Sequence, residues 1–404
     1  KISKICRFAL IFMAEYQYRL ATTESESITV RAAGKILAPV NRGQKPRMLM
    51  VGMHLTKTRG GITTLATSIL GSDLENDYDI KYIESQAEDF AKIRKMGLAI
   101  SALFRFIAAC LFTNVDLVYV HIGSNASLYR ESAFVVIGKF FGKQTVAHFH
   151  AGDLDSYYSE QPSIGQQAIF YALGLSDRVI AVSHGSARQL RHLNATLDIT
   201  VIPNSINASA FLGLKKADKA ADGNIRLLFV GAVGKLKGEK DLIKALELLK
   251  DEHPELRVSL LGYGAENLEK MIEQTGIAGM VEHLGAVSLD QRIEFYKSAD
   301  IFVLPTYAEA MPISVIEAMA AGLPVITTPV GGIPELIDNA EDGFLIQPGD
   351  IKQLAKKISL LAKNNDMRLA MGAKARRRVR ETMNFDVYIE QLRAELFTVS
   401  TKKK

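Results

Sequence analysis

Two glutamates, Glu309 and Glu317, stand with seven residues between them in the run Pro305-Thr-Tyr-Ala-Glu309-Ala-Met311-Pro312-Ile313-Ser314-Val-Ile-Glu317-Ala-Met-Ala-Ala-Gly322-Leu-Pro324. Carboxylates accept hydrogen bonds in pairs, and sugars offer paired hydroxyls. Ser314 can cap a helix, with Glu317 three residues on completing a capping box. Gly322 and Pro324 would stop that helix. Its start then turns free N–H groups and the positive dipole end toward the preceding loop, an anion site suited to a diphosphate. A phosphate cradle flanked by two hydroxyl acceptors describes a nucleotide-sugar site. The plainer alternatives are that Glu317 only serves the capping box and that Glu309 is a solvated loop acid.

Other segments offer complementary chemistry. The strand Leu227–Val230 runs into Gly231-Ala232-Val-Gly234-Lys235-Leu-Lys237-Gly238. Such a turn lets backbone N–H groups approach a phosphate, and Lys237 adds a point charge; otherwise it is an ordinary turn with an exposed lysine. Leu260-Leu-Gly262-Tyr-Gly264 ends another strand but lacks the third glycine of a nicotinamide fingerprint. Gly60-Gly61, between a strand and a helix, allows close backbone approach to a ligand, or simply a tight turn. In His148-Phe149-His150, strand alternation puts both histidines on one side. With no cysteine nearby, a zinc ligand set is not expected there. Asp153 and Asp155 read as turn or cap residues rather than as a nucleophile for a covalent intermediate.

The elements that must position these residues alternate. From Arg47 onward strands and helices follow one another, and after residues 207–224, small, polar and turn-rich, a second such series begins. Alternating βα units imply parallel, doubly wound sheets whose ligands sit at the carboxyl ends of the strands. The predicted organisation is an N-terminal extension over 1–45, a Rossmann-like domain over 46–206, a linker over 207–224, a second Rossmann-like domain over 225–384 and a terminal segment over 385–404.

The 404 residues, 48% of them hydrophobic, suffice for two to three domains with sizeable cores. The net charge of +5 comes without tryptophan, and the densest basic run, Lys374–Arg380, reads as a solvated helix face. Nucleic acid is therefore not an expected partner. Cys6 and Cys110 cannot make a disulfide framework and fit a reducing cytoplasm. No apolar run is expected to span a bilayer, and Ile5–Met13, interrupted by Arg7, does not read as a secretion signal. The stretch Phe90–Phe112 has a basic start and an apolar body. It reads as a buried helix or as a surface resting weakly on anionic lipid at the inner face of the plasma membrane.

The run from Pro305 through Gly322-Leu-Pro-Val-Ile-Thr-Thr-Pro-Val-Gly-Gly332-Ile-Pro-Glu335 resembles the E-x7-E signature of the family 4 retaining glycosyltransferases. The Gly60-Gly61 loop with the downstream region Ser124–Arg130 looks most like bacterial surface-polysaccharide enzymes. The resemblance implies the GT-B fold, an α/β architecture of two Rossmann-like, doubly wound domains facing across a cleft, with the last helix returning to the N-terminal half. It further implies that Glu309 holds hydroxyls of the donor sugar and Glu317 the ribose. His150 would reach the sugar at the reaction centre, so that His150 and Glu309 are the catalytic pair. Gly60, Gly61, Lys237, Gly262, Met311, Pro312 and Ile313 would bind the rest of the donor. Transfer would follow a front-face, dissociative course without a protein nucleophile. The donor implied is a nucleotide-sugar, UDP-linked, and the acceptor a saccharide or lipid-linked saccharide. No cofactor is expected. The Asp-x-Asp triplets that begin at Asp77 and Asp153 lie in the N-terminal half, away from the expected diphosphate, so the enzyme is expected to be metal-independent. One departure matters: Ala232 stands where the family usually carries Arg. It motivates the alternative of a non-catalytic sugar-nucleotide-binding protein; a GT-B phosphorylase or epimerase is a further alternative.

Overall fold

The computed structural model describes residues 45–401 apart from 59, 88–89, 215–221, 235, 265–267 and the side chain of Lys92. The expected extension, apart from residue 45, lies outside the described residues, as do Cys6, Lys235 and the middle of the linker.

Two parallel sheets organise the chain. The first comprises β1 (Arg47–Met53), β2 (Asp79–Gln86), β3 (Leu117–Ile122), β4 (Gln144–Phe149), β5 (Arg178–Ala181) and β6 (Ile199–Val201), in the order β2-β1-β3-β4-β5-β6. The second comprises β7 (Ile225–Val230), β8 (Leu256–Leu261), β9 (Val281–Gly285), β10 (Ile301–Leu304), β11 (Val325–Thr327) and β12 (Gly343–Leu345), in the order β12-β11-β10-β7-β8-β9. β3, β4 and β10 are buried along their whole length. Their apolar runs are near-continuous rather than alternating because helices cover both faces of a parallel sheet. The strand order reverses between β1 and β3 and again between β7 and β10. Such reversals open a crevice at the carboxyl ends of the strands. Gly60-Gly61 follows β1, Gly231–Lys237 follows β7, and Glu309–Ile313 follows β10, so these three segments fall at the two switch points, while His150 follows β4 and Gly262 follows β8.

The last helix, Phe385–Thr401, belongs to the core of the first sheet: its Tyr388, Ile389, Leu392, Leu396 and Val399 pack with Met48, Met50, Leu65 and Ile180. Ser205 Oγ donates to the Met383 carbonyl beside this crossing.

The helix Lys92–Phe112 is only partly buried. Ala102, Phe106 and Cys110 turn inward, while Ile93, Met96, Ile100, Phe104 and Leu111 form an exposed stripe on the other side. The expectation that no segment could span a bilayer is corrected here: Ile93–Phe112 is long and apolar enough by length and composition. Charges such as Arg105 interrupt the run in the sequence, but the backbone carries the apolar residues through as one helix.

Candidate nucleotide-sugar site

A cavity of about 290 Å³ opens between the carboxyl ends of the two sheets. All ten candidate residues line it: Gly60, Gly61 and His150 from the first sheet's side, and Lys237, Gly262, Glu309, Met311, Pro312, Ile313 and Glu317 from the second.

Close backbone approaches make this wall. A Cβ on Gly152, in the turn after β4, would lie 2.2 Å from the Glu309 carbonyl carbon. Only glycine lets the turn that carries His150 rest directly on the backbone of Glu309. Gly262, at φ +152°, packs so tightly on the turn after β7 that a Cβ would fall 1.8 Å from the Gly231 oxygen. That contact shapes the turn leading to Lys237. Two hydrogen-bonded clasps join the halves. The Glu335 carboxylate accepts from the backbone N–H groups of His184 and Gly185, both at 3.0 Å, at the start of the helix His184–Leu193. A carboxylate at a helix N-terminus is favoured by the helix dipole. Asn204 Nδ2 donates to the Met311 carbonyl at 2.9 Å.

Glu309 is not a solvated loop acid. Lys237 Nζ donates to its Oε1 at 2.6 Å, and its side chain is 13% exposed. The pair places an anion and a cation side by side at the cavity wall.

The capping box is corrected. The helix spans Ile313–Ala320 and its N-cap is Pro312, with no side chain capping it. Glu317 is instead 1% exposed and held from the neighbouring helix Leu289–Ser298: Arg292 Nη2 donates to Oε1 at 2.8 Å and the Tyr296 hydroxyl to Oε2 at 2.9 Å. A carboxylate buried this deeply is stable as an anion only when paired and hydrogen-bonded, so it turns to the guanidinium rather than to its own helix start. Burial raises the Glu317 carboxyl above its usual range, and Arg292 and then Tyr296 pull it back. The helix start, with no side-chain cap, borders the cavity through Pro312–Ser314.

Three imidazoles meet on the N-terminal wall. His121, on β3, is in register with His148 on β4. A ring nitrogen contact of 3.0 Å joins His121 Nδ1 to His150 Nε2, and the Tyr119 hydroxyl meets His148 Nδ1 at 2.6 Å. Burial pushes His121 down to about 3. Burial, with the neighbouring rings, holds His148 and His150 well below the usual imidazole range. All three are therefore neutral near pH 7, and His150 faces the cavity as a hydrogen-bonding group rather than a cation. The expectation against a metal ligand set weighed only His148 and His150. His121 supplies a third ring nitrogen, with all three within 4.8 Å of one another. Asp77, by contrast, is engaged by Arg393 at 2.8 Å.

Sequence reasoning missed Arg292, Tyr296 and His121. The first two sit four apart, a spacing that places them on one helix face. That signal was legible, but not its partner.

The folding pattern defines a class: two Rossmann-like domains, each with a switch point in its parallel sheet, with a cavity between them, which is the GT-B architecture. A solved structure, Anabaena Alr3699/HepE in complex with UDP-glucose, is similar in fold, with a TM-score of 0.70 over 87% of this chain and 99% of that one, at 18% identity. Two family models match, Glycosyltransferase Family 4 over residues 54–210 and Glycosyl transferases group 1 over residues 214–378. The chain belongs to the family 4 (group 1) glycosyltransferases. It is 32% identical over 234 residues to the D-inositol 3-phosphate glycosyltransferase of Streptomyces scabiei, covering 52% of this chain and 51% of that protein. It is 30% identical over 181 residues to the capsular polysaccharide biosynthesis glycosyltransferase CapM of Staphylococcus aureus, covering 44% and 47%. The chain thus spans about half the length of the curated relatives it matches.

Proposed function

We propose that this chain is a retaining glycosyltransferase that moves a sugar from a UDP-linked donor to a saccharide or lipid-linked saccharide acceptor in polysaccharide biosynthesis. The observation that carries the reading is the Lys237–Glu309 pair at 2.6 Å in a cavity shared with His150 and the uncapped start of the helix Ile313–Ala320. Lys237 and that helix start stabilise the leaving diphosphate, where charge develops in a dissociative transfer. Glu309 orients the sugar, and neutral His150 contributes a hydrogen bond. No carboxylate is assigned as a nucleophile; positioning and charge stabilisation supply the rate. Relatives named for inositol-phosphate and capsular-polysaccharide transfer, and a neighbour crystallised with UDP-glucose, support the donor and acceptor classes.

The deciding experiment is UDP release from UDP-sugars in the absence of acceptor. Slow release that persists in EDTA is expected. A protein that binds UDP-sugar without releasing UDP, with or without acceptor, is a binding protein, and loss of release in EDTA would show that a metal takes part.

The membrane reading belongs here as well. The exposed stripe of Ile93, Met96, Ile100, Phe104 and Leu111 lies beside Arg94, Lys95 and Arg105, and Phe140 is 76% exposed on a helix that packs against this one. An apolar face rimmed by cations suits an anionic leaflet. The protein is expected to pellet with anionic liposomes at low salt and less so at high salt. A Phe104→Asp variant that pellets equally would sink the assignment.

A further inference from the structure

The phosphate turn lacks one cation, and a different element of the fold brings one to the same cavity. Ala232 leaves Lys237 as the charged side chain of that turn among its described residues that line the cavity. Arg292 lines the cavity from the helix Leu289–Ser298. One end of its guanidinium is committed: Nη2 holds Glu317 Oε1 at 2.8 Å, while the Tyr296 hydroxyl holds Oε2 at 2.9 Å. Each carboxylate oxygen can still accept a second hydrogen bond. Arg292 Nε is buried and has no hydrogen-bond partner among the described residues. Buried N–H groups are rarely left unsatisfied, so an orphan at the wall of a ligand cavity points to a ligand acceptor.

We propose that Arg292 is a donor-binding and positioning residue, which clamps the Glu317 carboxylate toward the ribose hydroxyls of a nucleoside diphosphate and supplies to the nucleotide pocket the charge that Ala232 does not. The inference rests on the nucleotide-sugar reading above. It explains how a chain with half of the usual cationic clamp keeps a charged nucleotide pocket, and why a glutamate 1% exposed is retained as an acceptor. Without Arg292, burial would be opposed at Glu317 only by the hydrogen bond from Tyr296, with the Lys237–Glu309 pair lining the same cavity. Its carboxyl would move further up, and ribose binding would weaken as pH falls.

Calorimetric titration with UDP and steady-state kinetics with UDP-sugar, on the full chain from about pH 6 to about pH 8.5, test this. Arg292→Leu is expected to raise the UDP Kd and the donor KM about 10- to 100-fold, with a smaller fall in kcat and a larger loss at the acid end. Arg292→Lys should fall between, because an ammonium lacks the planar fork. If Arg292→Leu does not fold, Arg292→Gln keeps a donor without the charge and should acquire the same acid-side loss. Arg292 variants that fold, bind UDP as the wild type does and show the wild-type pH profile would overturn the proposal. A wild type that binds no nucleoside diphosphate would instead overturn the underlying reading, so the two failures are distinguishable.

Discussion

Glu309→Ala is expected to lower transfer on the order of 10³-fold while the fold survives. Glu309 has two oxygens for sugar hydroxyls, and each charged hydrogen bond contributes about 1.5–3 kcal/mol; two of them lost together give an effect of this size. The structural cost is small. The Lys237–Glu309 pair is partly exposed, with Lys237 26% accessible, so the freed ammonium can be hydrated. Tm should therefore shift by only a few degrees. Transfer and Tm measured on the same preparation decide the matter. Retained transfer contradicts the assignment of Glu309, and a collapsed Tm leaves Glu309→Gln as the variant to assay, since it keeps the shape and removes the charge.

Lys237→Ala is expected to cost more than Glu309→Ala. On the proposed reading it removes the cation that meets the leaving diphosphate, worth on the order of 10²–10³-fold by analogy with other groups that stabilise developing charge. It also leaves Glu309, 13% exposed, as an unpaired anion in the cavity that must receive a diphosphate. Both terms act in the same direction, so kcat should fall and the donor KM should rise. The double variant separates them. If Glu309 repels the donor once Lys237 is gone, Lys237→Ala/Glu309→Ala should bind UDP better than Lys237→Ala alone, a coupling that a cycle of the four proteins measures directly. Equal UDP affinity in the single and double variants would show that the pair does not act as a unit.

The two glutamates that look alike in the sequence part company in the fold. Glu309 lies on a loop whose neighbours come from three places: Lys237 after β7, Gly152 after β4 and Gly331, where a Cβ would sit 1.5 Å from the Glu309 oxygen. Glu317 lies on a helix and is claimed by the helix beside it. The capping box was a sound local expectation from Ser314 and Glu317. It lost because a deeply buried carboxylate gains more from a guanidinium and a phenol than from backbone N–H groups at its own helix start. The serine side chain plays no capping part; the Ser314 carbonyl lies 3.1 Å from the Tyr296 hydroxyl, whose one hydrogen it shares with Glu317.

The helix Lys92–Phe112 shows the same limit. Composition marked Phe90–Phe112 as apolar but could not orient it, because its residues are apolar on nearly every side. Packing of Ala102, Phe106 and Cys110 against the first domain's core selected the face that remains exposed.

By itself, the sequence determined the alternation of strands and helices, the division into two doubly wound halves, and the short segments that carry the ten cavity residues. These are local properties: apolar periodicity, glycine pairs and short runs written contiguously along the chain. Only the tertiary structure decided which groups touch. The ion pair of Lys237 with Glu309, the hold of Arg292 on Glu317, the placing of His121 beside His150 and the clasp of Glu335 on the helix His184–Leu193 join residues 25 to 151 positions apart. The physical reason is that such partners are selected by burial and by strand register across the sheets. A charge that must leave water takes whichever counter-charge the fold brings within reach, and linear spacing does not record which one that is.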